Sequence, residues 1–412
     1  MSESLWSSTN SLTTKSNYIP NAEEAILTAN NSAQYTYFGR SVAISDDGLR
    51  IVIGRSDDAG GAYIFFKSSG SWTLETKIAT PQANSMFGQT VAIDSTGTRV
   101  AVGAPNGDYG GYTDTGFILI YTRTGTTWNI EVTLIMTSPW YSDRLGDSIA
   151  FDLNATRCIA GASGAVVGGG TNTGKVAIFT RTGTTWSTEQ ILNAPDYAFG
   201  DRFGISVDCD DTATRIIIGA HVGDRSGAQD TGKAYIYARS GTTWTHETTL
   251  TSVLTNQYDQ YGGSVTISSD GSRVAIGCKY ATTGAYSFSG KVFIYTRTGT
   301  TWTEETVLAH SPIVDQDQFG SFVKFNAAAD KLVIAASYKS TQSTTNRAGV
   351  VFIYTRTGTN WFLSATLNPS IPYMNMSFGT SIDITANGTK LVISAAASDT
   401  VFDDAGAAYV FS

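Results

Sequence analysis

Residues that build helices, kinks and cross-links are scarce: the 412-residue chain has five Met, eight Pro, nine Glu and three Cys. So few prolines exclude a proline-rich stalk or linker. Cys158, Cys209 and Cys278 cannot all pair within the chain, and their spacing matches no disulfide or zinc framework, so they read as small buried thiols. Basic residues are also in deficit, 27 Lys and Arg against 35 Asp and Glu, for a formal charge of −8. That balance argues against general nucleic-acid binding, which needs a basic surface to displace phosphate counterions. No apolar run is long enough to cross a membrane as a helix. The stretch Met1–Tyr18 is rich in Ser and Thr and lacks the apolar core of a signal peptide.

What the chain does have is Gly, Thr, Ser, Tyr, Val and Ile, the composition of strands and tight turns. It also has an internal repeat of roughly 58 residues. Phe38-Gly39, Phe87-Gly88, Leu145-Gly146, Phe203-Gly204, Tyr261-Gly262, Phe319-Gly320 and Phe378-Gly379 head seven copies, spaced 49, 58, 58, 58, 58 and 59 residues apart. Sixteen positions after each aromatic or Leu stands a small residue: Gly54, Gly103, Gly161, Gly219, Gly277, Ala335 and Ser394. Between these anchors lie two short strands around a tight turn, for which Asp47-Gly48, Asp270-Gly271 and Asn387-Gly388 supply the positive φ angles. A longer polar loop leads to a third strand, a second hairpin, a Trp in six of the repeats (Trp72, Trp128, Trp186, Trp244, Trp302, Trp361), and a fourth strand.

Four antiparallel strands repeated seven times predict an all-β fold, a seven-bladed β-propeller. The seventh repeat stops at Phe411-Ser412 without a fourth strand. Leu27 precedes Phe38 by eleven residues, the distance that separates a fourth strand from the next repeat elsewhere. Residues 22–27 are therefore expected to complete the last blade and close the ring. This divides the chain into an arm, residues 1–21, and a propeller, residues 22–412.

Phe87-Gly88 followed by Gly103-Ala104-Pro105 resembles the FG-GAP repeat family, known from the N-terminal propellers of integrin α chains. Leu145-Gly146 with Gly161-Ala162 and Phe203-Gly204 with Gly219-Ala220 are weaker versions. The resemblance spans residues 22–412 and implies a propeller that binds partners rather than transforming them. Similar repeats occur in bacterial surface proteins and virus structural proteins. Several family members hold calcium between the first two strands, but here that connection is a plain hairpin, as at Asp94-Ser95-Thr96-Gly97. Asp208-Cys209-Asp210-Asp211 lacks the turn glycine and ligand number such a loop needs. No cofactor or metal site is carried over, although Asp-rich connections such as Asp399 to Asp404 keep the composition for weak calcium binding.

Strand alternation puts tight hairpins on one face and nearly all long loops on the other, and the long-loop face is the expected binding surface. Its candidates are Tyr109, Tyr112, Trp140, Tyr141, Tyr197, Tyr258, Tyr286 and Tyr373, with Tyr280 nearby. Acidic residues accompany them, among them Asp108, Asp114, Asp143, Asp196, Asp224, Asp230, Asp259, Asp315, Asp317, Asp403 and Asp404. Rigid amphipathic rings beside carboxylates suit glycan or protein recognition. The hairpin face repeats a cation in the first hairpin of every blade (Arg50, Arg99, Arg157, Arg215, Arg273, Lys331, Lys390). A second series (Lys67, Arg123, Arg181, Arg239, Arg297, Arg356) follows in the second hairpin. These read as solvated turns paired locally with Asp, or, in a sharper version, as a docking face for an acidic neighbour, with Arg123, Arg181, Arg239, Arg297 and Arg356 at its centre.

Catalysis has little to stand on. His221, His246 and His310 occupy non-equivalent repeat positions, and no nucleophile elbow, P-loop or dinucleotide fingerprint appears. The expectation is a non-enzymatic recognition module on a virion or cell surface, extracellular, engaging a surface protein or glycan. The alternative is a structural decoration subunit contacting neighbouring subunits of an assembly such as a virus particle. A propeller glycoside hydrolase, with paired carboxylates across the ring, is third. Neither nucleic acid nor membrane insertion enters any of these.

Overall fold

Alternating apolar residues and glycine-bearing turns produce, among the described residues, 28 strands in seven four-stranded antiparallel sheets. The computed structural model describes residues 18–29, 36–58, 60–224, 229–252, 256–341, 347–398 and 405–412. Blade 5 shows the pattern: Ser264–Ile267 innermost, then Arg273–Cys278, Lys291–Thr298 and Thr301–Leu308 at the rim. The expected closure is present. Glu23–Leu27 pairs antiparallel with Ala407–Phe411 and serves as the fourth strand of blade 7. Where the other blades have a hairpin, Ala22 and Ser412 exchange backbone bonds of 3.2 and 2.9 Å. Of the expected arm, Ile19 already packs against the core between blades 6 and 7; residues 1–17 lie outside the described set.

The Phe-Gly pair and the small residue sixteen places on are explained by blade-to-blade contact. Each Phe-Gly aromatic (Leu145 in blade 3) is fully buried, worth about 2 kcal/mol of apolar burial apiece. The glycine after it takes a positive φ, and its carbonyl meets the small residue of the preceding blade. A Cβ on Gly161 would lie 1.9 Å from the carbonyl oxygen of Gly204, and one on Gly54 would lie 2.0 Å from that of Gly88. Any larger residue there would push adjacent blades apart. The apolar cores accordingly straddle junctions, as where Ile159, Val176 and Ile178 of blade 3 pack with Phe203, Ile216 and Ile218 of blade 4.

Two sets of polar stitches cross the junctions. Near the axis, in six of the seven blades a hydroxyl three residues after the Phe-Gly aromatic or Leu145 bonds to the backbone of the next blade. Ser148 Oγ donates to Gly204 O (2.8 Å), Ser206 Oγ to Gly262 O (2.9 Å), and Ser264 Oγ accepts from Val323 N (3.0 Å). Ser41, Thr90 and Ser381 do the same at the 1/2, 2/3 and 7/1 junctions. At the rim, the fourth strand of every blade carries a β-bulge, and the skipped residue is a Glu in six of them: Glu24, Glu75, Glu131, Glu189, Glu247 and Glu305. A bulge re-aims its residue. Here it turns the carboxylate to take an ion pair from its own blade and the indole N–H of the next blade's Trp. In blade 4, Glu247 binds Arg215 at 3.0 Å and accepts from Trp302 Nε1 at 2.7 Å. Glu189 with Arg157 and Trp244, and Glu305 with Arg273 and Trp361, repeat this arrangement.

The 6/7 junction has neither stitch. Phe322 stands in the hydroxyl position, Ser364 is the bulged residue, and Asn21 occupies the place of the Trp. Apolar packing takes the place of both stitches, with Phe322 and Tyr373 against the cluster that holds Val351, Leu367, Phe378 and Ile382, while backbone bonds from Phe378 N to Ala348 O (2.8 Å) and from Ala327 N to Ala386 O (3.2 Å) still cross the junction.

Candidate binding surface

Of the first-hairpin cations, Lys331 pairs with a nearby Asp as the sequence suggests, lying 3.9 Å from Asp330; the others do not. Those of blades 1–5 and 7 bind the bulged Glu of their own blade's fourth strand. The Asp residues of these turns cap them instead: Asp210, for example, accepts from the backbone N–H groups of Thr214 (2.6 Å) and Arg215 (3.1 Å). In the second hairpins, Arg123 reaches across to Glu75 at 2.8 Å. Arg181, Arg239, Arg297 and Arg356 donate to backbone carbonyls of both hairpins of their blade. Arg239 bonds Ala213 O at 2.6 Å and Gly241 O at 2.8 Å, so its guanidinium clamps the two turns together.

The opposite face is built differently. Gly110 and Gly111, at φ 67° and 86°, close a two-residue turn that pairs Tyr109 with Tyr112 through reciprocal backbone bonds of 3.3 and 3.2 Å. The neighbouring blade 2/3 connection is pinned by Asp143, whose carboxylate accepts from Trp140 N at 2.7 Å. Asp143 is buried, and burial raises its pKa against the lowering effect of that bond. The two loops bring Tyr112, Trp140 and Tyr141 together, with ring centroids 5.5, 4.9 and 5.8 Å apart. Trp140 stays 52 % exposed in this cluster, and Tyr109 and Tyr141 are also exposed. An indole supported from the side by two phenol rings is a rigid open platform.

The other candidates are spread around the face. Tyr197 lies over Gly168, its ring 2.9 Å from where a Cβ would be. The Tyr258 hydroxyl bonds Gln229 Oε1 at 3.2 Å, and Tyr286 closes a mini-hairpin with Thr283. Tyr373 is half-buried against the 6/7 core, and Tyr280 is edge-on to Phe288. Several acidic residues turn out to be internal. Asp259 and Asp317 are buried like Asp143. Asp259 caps its loop at Asn256 N, and Asp317 binds His310 and Lys339. Asp108 accepts from Asp114 N (3.0 Å), Asp224 from Asp230 N (2.9 Å) and Asp315 from Ser287 N (2.8 Å), while Asp196 holds Lys233 and Tyr235. Asp403 and Asp404, with the rest of the Asp399–Asp404 connection, lie outside the described residues. Sequence reasoning missed Phe199 and Met374, 76 % and 72 % exposed. Both stand four residues before a Phe-Gly aromatic, the repeat position of Tyr141.

For chemistry the described residues offer little. No group of three or more His, Cys, Asp or Glu among them is placed to hold a metal. The three cysteines are buried free thiols. His310 is buried against Phe352 and bonded to Asp317 at 2.6 Å, and His246 is exposed on the fourth strand of blade 4. The axial channel holds a cavity of about 290 Å³ lined by the innermost strands. Its hairpin-side mouth is ringed by backbone bonds passing from blade to blade, the last made by Asp46 Oδ1 accepting from Ala386 N at 3.1 Å.

No curated protein matches the chain. A family model, FG-GAP repeat, matches residues 22–65 and 186–237. The two segments are in phase: each begins in a fourth strand and runs through the first three strands of the next blade, ending at Phe65 or Tyr237. Fold, closure and repeat agree, and the chain is a seven-bladed β-propeller of which residues 22–65 and 186–237 match the FG-GAP repeat.

Proposed function

We propose that this propeller is a non-enzymatic recognition module that engages a glycan or protein through its long-loop face, displayed outside the cell or on a virion. FG-GAP repeats occur in extracellular proteins and the propeller suits binding, which supports the setting. The observation that carries the reading is the convergence of Tyr112, Trp140 and Tyr141 from two separate connections into one exposed platform, with Tyr109 exposed beside it and paired to Tyr112 through the backbone. Glycan-array and cell-binding measurements on the wild type and on Trp140→Ala with Tyr141→Ala test it. Loss of a platform anchor should weaken binding by at least about tenfold. Binding by neither protein, or equal binding by both, would overturn it.

The rim favours a second reading, a subunit docked edgewise in a larger assembly. Phe362 and Leu363 are exposed side by side on the outermost strand of blade 6, where other blades carry mostly polar residues. The hairpin-face arginines support this less well, because their guanidinium groups are half-buried and already bonded. Mass measurement in solution separates the readings: a monomer that stays monomeric at high concentration argues against docking between copies.

A further inference from the structure

The loops of the long-loop face are shortest around blade 1. From Gly54 to Gly60 the chain advances six residues, against thirteen from Gly103 to Gly116 and between the same positions of blades 3–5. The blade 1/2 connection is short as well: Ile78 precedes Phe87 by nine residues, where Leu134 precedes Leu145 by eleven. These two deletions account for the first repeat interval of 49 residues against 58. So short a loop has no room for the two-residue turn that stands at Tyr109–Tyr112, Val167–Gly170 and Thr283–Tyr286 in other blades. A hollow of about 680 Å³ opens there instead, walled by the connections on either side of blade 1 and by the loop of blade 2.

Its polar walls are already positioned. The buried Arg55 holds Asp57 through two bonds of 2.6 and 2.5 Å, and Asp58 beside it is exposed. Arg40 Nε donates to Gln89 Oε1 at 3.1 Å, and Arg144 Nη1 to Asn106 Oδ1 at 2.6 Å. With their carbonyls taken, both amides keep NH2 groups that have no partner among the described residues. The walls also carry two less polar surfaces. In blades 3–7 the residue before Leu145 or the Phe-Gly aromatic is Arg144, Arg202, Gln260, Gln318 or Ser377. In blades 1 and 2 it is Tyr37 and Met86, and both line this hollow.

We propose that the hollow binds the end of a neutral glycan. An anionic ligand would meet Asp57 and Asp58 there, and a cationic one Arg40, each a like charge. A neutral polyhydroxylated ligand meets neither cost. Its hydroxyls both donate and accept, so they can satisfy carboxylates, amide N–H groups and a guanidinium in one site. The exposed phenol ring of Tyr37 offers a rigid amphipathic surface to the C–H face of a sugar ring. The volume lies within the range of small-molecule sites, roughly 300–1,000 Å³. This site rests on the recognition reading for its face and its ligand class, but not on the Trp140 platform.

The test is a glycan array of neutral, acidic and amino-sugar oligosaccharides, with calorimetric titration of each glycan bound. The wild type is compared with Tyr37→Ala/Asp58→Ala, with Trp140→Ala/Tyr141→Ala, and with a loop graft that puts residues 163–173 of blade 3 in place of residues 56–59. The wild type should bind neutral glycans. Tyr37→Ala/Asp58→Ala should weaken that binding at least about tenfold, and the graft, which refills the hollow, should abolish it. Both side chains are exposed, so the double variant should melt within about 2 °C of the wild type. Neutral-glycan binding that survives Tyr37→Ala/Asp58→Ala or the graft, or binding confined to charged glycans, would overturn the proposal. Binding lost only in Trp140→Ala/Tyr141→Ala would overturn it too, while upholding the platform. Binding lost only in the hollow variants supports this site and counts against the platform, so the two failures are distinguishable.

Discussion

The 4/5 junction and the 6/7 junction solve the same packing problem with different chemistry. At 4/5, Ser206 stitches the inner strands and Glu247 joins Arg215 to Trp302 at the rim. At 6/7, Phe322, Ser364 and Asn21 replace the hydroxyl, the carboxylate and the indole. The rim losses share a cause. The latch Trp stands just past the hairpin between third and fourth strands, and in blade 7 those strands are Ala407–Phe411 and the distant Glu23–Leu27, whose facing ends are bonded through Ala22 and Ser412 instead. With no hairpin to present an indole, a Glu on blade 6 would be a half-buried charge with one partner missing. Ring closure by a separate strand therefore carries a local loss of polar joints, and apolar packing fills the gap.

The largest break in this comparison is removal of the closing strand. A chain starting at residue 28 loses Glu24, which binds Lys67, Lys390 and Trp72, and leaves Ala407–Phe411 as an uncovered edge. Denaturant unfolding should then lose several kcal/mol, on the order of 5, or a blade 7 transition should separate from the main one. An unchanged single transition would show that the closure is dispensable.

Next comes Glu247→Ala against Ser364→Ala. The first strands Arg215 and the Trp302 indole, and should cost about 2–4 kcal/mol. The second removes a hydroxyl with no role at the junction and should cost less than about 0.5 kcal/mol. Equal costs by chemical denaturation would mean the latch is ornamental.

Much of this was readable from the chain. The Phe-Gly spacing, the small residue sixteen places on and the Leu27–Phe38 interval gave blades and closure, because each reports a contact every blade must make. The Glu of the latch also keeps a constant place, three residues after five of the six repeat Trp; Ser364 stands there after Trp361, and Glu24 follows Asn21. Its role was hidden because plain alternation sends residues three apart to opposite faces, and only the bulge brings Trp and Glu into one line of junctions. The recurrent arginines misled for the same reason. The binding face was legible as a face but not as a site: the two-residue turn and the Asp cap recur in other blades, as at Val167–Gly170 and at Asp201 and Asp259, and only in blades 2 and 3 do the loops they shape carry Tyr112, Trp140 and Tyr141 within ring contact. Phe199 and Met374 shared the register of Tyr141 and could have been found by it.

Acid should act through the latches and leave 6/7 alone. Burial opposes ionisation of Glu24, but hydrogen bonds from Lys67, Lys390 and Trp72 prevail and hold its pKa at about 2, below its ordinary 4.5. Glu75, Glu189 and Glu247 shift the same way, burial again opposed by their bonded Arg partners. A carboxylate with a depressed folded pKa contributes stability that is complete above its unfolded pKa and is lost as pH falls toward the folded value. Asp383, raised to about 6 chiefly by burial, works in the opposite sense and costs stability above that pH. Melting temperature should therefore hold or rise slightly from pH 7 to 5 and fall below about 4.5. Glu24→Gln should flatten part of that acid limb, and a limb of unchanged slope would count against the latch as its source.

The smallest effect is the one that isolates the inner stitch. Ser264→Ala at the 5/6 junction removes the acceptor for Val323 N, both residues being buried, and should cost about 1–2 kcal/mol. Phe322→Ser at 6/7 restores the hydroxyl that every other blade has, yet gives up apolar contact with Leu367 and Phe378. The gain of one hydrogen bond, about 1 kcal/mol, and the loss of a half-buried ring, about 1–2 kcal/mol, nearly cancel. Its net change should therefore stay within about 1 kcal/mol, smaller than that of Ser264→Ala although the substitution itself is larger. If Phe322→Ser instead cost as much as a core truncation, about 3 kcal/mol or more, the 6/7 junction would be an apolar joint stronger than the stitched ones. A clear stabilisation would mean that the missing hydroxyl is a weakness the apolar packing does not offset.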